Sequence, residues 1–70
     1  MEFYEGYVKM THAEFNKLKK EGKVFYIENR KYAKGEVAYL NGEPYMSVKD
    51  DNSLILYPAN SDWKKIYFCS

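Results

Sequence analysis

The fold is decided by residues 10–22, which read MTHAEFNKLKKEG. Thr11 and Glu14 are spaced as a capping box, in which the Thr11 hydroxyl accepts from the Glu14 amide while the Glu14 side chain accepts from the Thr11 amide. Three lysines follow, where they suit the negative end of the helix dipole, and Gly22 suits a left-handed C-terminal cap. The stretch predicts a helix over about residues 12–21.

The apolar stripe of this helix is narrow. It consists chiefly of Phe15 and Leu18, and Phe15 also forms a hydrophobic staple with Met10. A helix with so narrow a stripe covers only part of a sheet.

Short strands surround the helix. One is predicted over residues 3–10, with a bulge at Gly6, and Asn41-Gly42 is a type I′ hairpin turn. The further strands are predicted over residues 24–28, 36–40, 45–49, 54–57 and 63–69. We therefore expect a single α+β domain over residues 1–70, an antiparallel sheet of five or six strands in a meander, flat or curled into a small barrel, with the helix inserted after the first strand.

The period of two along each strand separates two predicted faces. One is aliphatic or Phe and is expected to be the core: Phe25, Ile27, Ala38, Leu40, Met46, Val48, Leu54, Leu56, Ile66 and Phe68. The other carries most of the tyrosines and the only tryptophan: Tyr26, Val37, Tyr39, Tyr45, Ser47, Ile55, Tyr57, Trp63, Lys65 and Tyr67. One short helix cannot cover both faces.

This tyrosine face has two interpretations. Aromatic residues make up 19% of the chain, and their rings either pack within the molecule or form an interface. For the interface, the candidate binding residues are Tyr26, Tyr39, Tyr45, Tyr57, Trp63 and Tyr67, with Arg30, Lys31 and Lys65 at the rim. Because so small a core gives modest stability, we expect a homodimer joined through this face or through sheet edges, including the final strand over residues 64–69.

No residue pattern indicates catalysis. His12 is the only histidine and Cys69 the only cysteine, so neither a catalytic triad nor a zinc site can be assembled. Asp50-Asp51-Asn52 is better explained as a turn than as a cation loop. We expect a protein that is not an enzyme and that has no cofactor or metal.

Charge and hydropathy limit the partners. The net charge of +1 argues against a strongly electrostatic nucleic-acid binder. The longest apolar run, residues 54–57, is too short to cross a membrane, and the N-terminal residues lack the pattern of a signal peptide. With a single cysteine, the chain is expected in the reducing cytoplasm.

In its length, its lack of catalytic residues and its Lys-, Asn- and Tyr-rich stretches, the chain resembles the small orphan proteins of phages and mobile elements in low-GC Gram-positive bacteria. Two such stretches are Phe15-Asn16-Lys17-Leu18-Lys19-Lys20 and Ile27-Glu28-Asn29-Arg30-Lys31-Tyr32. This resemblance implies an inhibitor that binds a host protein, such as one used in host defence. Two alternatives stay open. One is a nucleotide sponge, with bases stacked on Tyr or Trp63 and phosphates held by Arg30, Lys31 or Lys65. The other is a single-stranded nucleic-acid module using the same face.

Overall fold

The computed structural model describes residues 1–26, 30–53 and 62–69. Its elements are β1 (Glu2–Tyr4), β2 (Tyr7–Thr11), α1 (His12–Lys20), β3 (Val24–Phe25), β4 (Lys31–Tyr32), β5 (Val37–Leu40), β6 (Glu43–Ser47), β7 (Asn52–Ser53) and β8 (Trp63–Cys69). Six strands form an open sheet in the order β1-β2-β8-β6-β5-β3, and β4 pairs with β7 in a separate two-stranded ribbon. The α+β class is confirmed.

The predicted antiparallel meander is wrong. β2 pairs in parallel with β8, and β3 pairs in parallel with β5, while the other pairs are antiparallel. Part of the reason is the helix, because a helix between two strands of one sheet lets both run in the same direction. β3 accordingly runs in the same direction as β2 and forms the edge opposite β1, and the chain passes through β4 before it returns to pair with β3 as β5.

The final strand is not at an edge, contrary to the expectation for residues 64–69. β8 lies between β2 and β6 and hydrogen-bonds to both. Among the residues that the structure describes, the edges of this sheet are β1 and β3.

The predicted helix and both its caps are confirmed. Thr11 and Glu14 form the reciprocal capping box, with Glu14 N donating to Thr11 Oγ1 over 3.2 Å and Thr11 N donating to Glu14 Oε1 over 2.9 Å. At the other end, the amides of Gly22 and Lys23 donate to the carbonyls of Lys19 and Leu18, which is the Schellman pattern. Gly22 has a φ of 74°.

Glu14 also makes the helix start sensitive to acid. A hydrogen bond from the Met1 amino group, 2.6 Å away, lowers the pKa of the Glu14 carboxyl, and the bond from the Thr11 amide lowers it further. A group whose folded pKa is lowered stabilises the protein above its unfolded pKa, and this contribution is lost as the pH falls through the folded value. We expect Glu14→Gln, which still fits the capping box, to reduce the loss of stability below about pH 4.5. Urea unfolding midpoints measured across that range, with Glu5→Gln as the control, check this.

Gly6 is in a turn and not in a bulge. The predicted strand over residues 3–10 is two strands, β1 and β2, joined by Glu5-Gly6, with Tyr4 paired to Tyr7. The Gly6 φ of 84° lies in the left-handed region, which favours glycine at this position.

The second hairpin is confirmed, because Asn41 and Gly42 have φ values of 54° and 79°, as a type I′ turn requires. The predicted strand over residues 54–57 lies outside the described residues.

Both faces of the sheet are covered, by different elements. On the helix face, α1 contributes Phe15 and Leu18 to a cluster that also contains Val8, Met10, Val37, Met46 and Ile66. On the opposite, ribbon face, Tyr32 of β4 packs into a second cluster with Ala38, Leu40, Tyr45 and Trp63. The predicted division into an aliphatic and a tyrosine face is therefore wrong. Ala38 and Leu40 lie with Tyr45 and Trp63, and Val37 and Tyr39 lie with Met46 and Ile66.

The two-residue turn sets this register. With Leu40 opposite Glu43, Ala38 must pair with Tyr45 and Val37 with Met46, and directly paired residues share a face.

Candidate functional site

The ribbon covers only part of its face of the sheet, and the uncovered part presents three tyrosines to solvent. Tyr4 of β1 and Tyr67 of β8 are 40% and 47% exposed, and Tyr7 of β2, between them, is half-buried. We call Tyr4, Tyr7 and Tyr67 the three-tyrosine surface. It occupies the half of the ribbon face formed by β1, β2 and the end of β8.

The three rings support one another. Tyr4 and Tyr7 stack with centroids 4.9 Å apart and planes 11° from parallel. Tyr67 meets Tyr7 edge-on, at 5.6 Å and 88°. Both are favourable arrangements for aromatic pairs. The ring contacts therefore orient the three side chains without a bound partner.

Charged side chains flank the rings in balanced numbers. Lys65 Nζ lies 5.1 Å from the Tyr67 ring centroid and 3.2 Å from Glu43 Oε1. At the other end, the Tyr4 hydroxyl donates to Glu2 Oε1 over 2.9 Å, and Lys9 Nζ lies 5.9 Å from the Tyr4 ring centroid. Both lysines are at distances where a cation is attracted to the face of a ring.

These contacts reinforce the protonation states that a tyrosine and a lysine already have near neutral pH. The hydrogen bond to Glu2 raises the pKa of the Tyr4 hydroxyl, so this group remains a neutral donor. The hydrogen bond to Glu43 raises the pKa of the Lys65 ammonium, which therefore stays charged. Burial, aided by the charge of Glu43, raises the pKa of the neighbouring Tyr45 hydroxyl.

The surface is assembled by two pairings. The Glu5-Gly6 turn brings Tyr4 opposite Tyr7. The parallel register of β2 with β8 then places Lys65 beside Tyr7 and Tyr67 beside Lys9. Sequence analysis did not select Tyr4, Tyr7 or Lys9, because it treated Gly6 as a bulge within one strand. The aromatic residues flanking Glu5-Gly6 were the signal that a hairpin prediction would have used.

Of the predicted binding tyrosines and tryptophan that the structure describes, only Tyr67 lies in this surface. Tyr45 and Trp63 are core residues under the ribbon, and Trp63 is 3% exposed. Tyr26 and Tyr39 are on the helix face, where they stack on each other with centroids 4.9 Å apart. Tyr57 lies outside the described residues.

The predicted cations are also divided. Lys65 lies at the three-tyrosine surface, whereas Arg30 and Lys31 lie at the ribbon. The Arg30 guanidinium carbon is 3.9 Å from the Phe25 ring centroid, and Lys31 Nζ donates to Ser53 Oγ over 2.7 Å. Arg30 therefore helps to attach the ribbon to β3, whereas Lys31 joins the two strands of the ribbon to each other.

The described residues contain no group of three or more His, Cys, Asp or Glu side chains placed to hold a metal ion. Within the same residues, no helix has the length and apolar character needed to cross a membrane. Comparison with protein-family models, with curated proteins and with solved structures gave no match.

Proposed function

We propose that this chain is a non-catalytic binding protein, and that it inhibits a host protein by covering part of its surface with the three-tyrosine surface. The observation that carries the proposal is the set of exposed, mutually supported rings of Tyr4, Tyr7 and Tyr67. Tyrosine supplies a large contact area at a low cost in conformational entropy, and it is enriched at protein interfaces. The resemblance to phage orphan proteins supports the inhibitory role.

The charge around the rings favours a protein over a nucleic acid. Lys65 is paired with Glu43, and Glu2 accepts from Tyr4 beside Lys9. A surface that binds a phosphate backbone presents several uncompensated cations. Here the cations have acidic neighbours, which suits a partner of mixed charge.

The nucleotide alternative has less support. Of its candidate stacking residues, Trp63 is in the core. Of its candidate phosphate-binding residues, Arg30 and Lys31 contact Phe25 and Ser53. Tyr67 and Lys65 do lie together at the three-tyrosine surface, but Lys65 is already paired with Glu43.

Replacement of Tyr67 by alanine tests the proposal directly. We expect Tyr67→Ala to weaken partner binding at least about tenfold, because exposed aromatic anchors carry much of the binding energy at interfaces. Tyr26→Ala is the matched control, since Tyr26 is also an exposed tyrosine, 67% accessible, but lies on the helix face.

The measurement is affinity capture from host lysate, with and without nuclease treatment and at low and high salt, with the bound material quantified for wild type and both variants. The proposal predicts one protein that Tyr26→Ala retains, that Tyr67→Ala loses, and that remains bound at high salt. If Tyr26→Ala and Tyr67→Ala behave alike, the proposed surface is wrong. Ligand that is sensitive to nuclease and released steeply by salt instead identifies a nucleic-acid module.

A further inference from the structure

β1 is an exposed edge strand of three residues and is the longer of the two edge strands in the described sheet. Its residues, Glu2, Phe3 and Tyr4, are all exposed, and the Phe3 side chain is 58% exposed. Natural edge strands are commonly blocked by lysine, proline or a bulge. β1 contains neither lysine nor proline, and it pairs with β2 without a bulge. The opposite edge, β3, has two residues and offers less backbone for pairing.

The β1–β2 hairpin determines which backbone groups face outward. Tyr4 and Tyr7 flank a two-residue loop, and the pair that closes such a loop exchanges both backbone hydrogen bonds. Paired residues then alternate between bonded and non-bonded. The N–H and C=O groups of Phe3 therefore point away from β2, toward the open edge.

From this edge we infer that a second copy of the chain binds antiparallel along β1, with a two-fold axis at Phe3. Residues opposite each other in such a pair must share a face, so only three registers are compatible with β1. Phe3 opposite Phe3 aligns all three strand residues. A shift in one direction places Glu2 opposite Glu2, where like charges repel. A shift in the other direction places the exposed, apolar side chain of Phe3 opposite the charged side chain of Glu5, so the two Phe3 rings no longer meet.

The favoured register is self-complementary. Phe3 of each copy exchanges two backbone hydrogen bonds with Phe3 of the other, and their exposed rings become neighbours on the helix face. Glu2 of one copy lies opposite Tyr4 of the second. These side chains already form a hydroxyl–carboxylate hydrogen bond within one chain, at 2.9 Å. A closed two-fold pairing of this kind is the commonest form of homo-oligomer.

The pairing leaves the proposed binding function intact. A two-fold axis perpendicular to the sheet keeps each face on its own side, so both three-tyrosine surfaces lie on the same side of one extended sheet. The inference does not depend on the proposed function, because it concerns the edge of the sheet and not the tyrosine rings.

Phe3→Lys tests the inference, since it places two lysines opposite each other at the two-fold axis. We expect sedimentation equilibrium at high micromolar concentration to give a dimer for wild type and for the control Tyr26→Lys. The dimer dissociation constant of Phe3→Lys should rise at least about tenfold. Wild-type protein of monomer mass, or a Phe3→Lys dimer as tight as wild type, would overturn the inference.

Cross-linking provides a readout that does not depend on a destabilising charge. Phe3→Cys in a Cys69→Ser background places two thiols opposite each other, at a separation of paired strands that a disulfide can span. Under mild oxidation, we expect a covalent dimer from this variant and monomer from Tyr26→Cys in the same background. Equal cross-linking of both variants, or of neither, contradicts the β1 interface. Tyr67→Ala should dimerise normally, which separates this inference from the binding proposal.

Discussion

Trp63→Ala is expected to lower the free energy of unfolding by about 3–5 kcal/mol, the usual cost of removing a large aromatic ring from a core. Trp63 is almost fully buried, and its ring meets Tyr32 edge-on with centroids 5.3 Å apart. Its indole Nε1 donates to the Ser53 carbonyl over 3.1 Å. The truncation therefore removes both the ring and the hydrogen bond that join the ribbon to the sheet.

Such a loss is large for this chain, because a small domain has a total stability of about 5–15 kcal/mol. Urea unfolding followed by far-ultraviolet circular dichroism measures it without relying on the lost tryptophan fluorescence. Trp63→Phe should have an intermediate effect, since it keeps most of the ring but leaves the Ser53 carbonyl without this donor. Tyr26→Ala should change the free energy of unfolding little, because the Tyr26 side chain is exposed at the margin of the helix face. A Trp63→Ala variant that is as stable as wild type would show that the ring is not part of the core.

Local signals predicted the helix because its determinants are close in sequence. Thr11 and Glu14 are three residues apart, and Gly22 follows the last turn directly. A capping box and a left-handed glycine depend on neighbouring backbone groups, so no knowledge of the tertiary structure was needed. The Asn41-Gly42 hairpin was predictable for the same reason.

The two faces of the sheet were assigned wrongly because residues were grouped by hydrophobicity and not by the strand register. Asn41-Gly42 already implied that Ala38 pairs with Tyr45, which places a small aliphatic residue and a tyrosine on one face. Both faces of this sheet are buried over part of their area, so residue polarity does not distinguish them. A register derived from the turn would have placed Tyr45 on the same face as Ala38 and Leu40 from sequence alone.

The central position of β8 and the formation of the ribbon depend on contacts between residues far apart in sequence. β2 and β8 are separated by most of the chain, and Tyr32 reaches Trp63 only through the pairing of β4 with β7. A period of two indicates that a strand exists, but not which strand lies beside it. Even a correct hairpin at Glu5-Gly6 would have paired only Tyr4 with Tyr7, since Tyr67 joins them through the β2–β8 pair.

Asn52 is the clearest example of a residue whose role sequence analysis could not predict. It appeared to be a turn residue after Asp50 and Asp51, yet it is the first residue of β7 and is almost fully buried. Its side-chain Nδ2 donates to Ser47 Oγ over 3.0 Å and to the Asp62 carbonyl over 2.9 Å. It thus connects the ribbon to β6 and to the residue preceding β8.

Asn52→Asp is expected to destabilise the protein by about 3–5 kcal/mol at neutral pH, because it buries a charge against the Asp62 carbonyl, and the Ser47 hydroxyl can donate to that charge only by giving up its bond to the Lys49 carbonyl. The variant keeps the size of the side chain but removes the amide protons that Ser47 and Asp62 accept. Asn52→Ala, which removes the group without adding charge, should cost less, about 1–3 kcal/mol.

The pH dependence separates the two effects. Burial raises the folded pKa of the new carboxyl above its unfolded value of about 3.9. The unfolded state therefore releases its proton first, and stability falls as the pH rises from the unfolded to the folded pKa. Urea midpoints of Asn52→Asp should accordingly decrease between about pH 4 and pH 7 relative to those of Asn52→Ala. Parallel pH profiles for the two variants would mean that residue 52 is solvated and that the ribbon does not bury it.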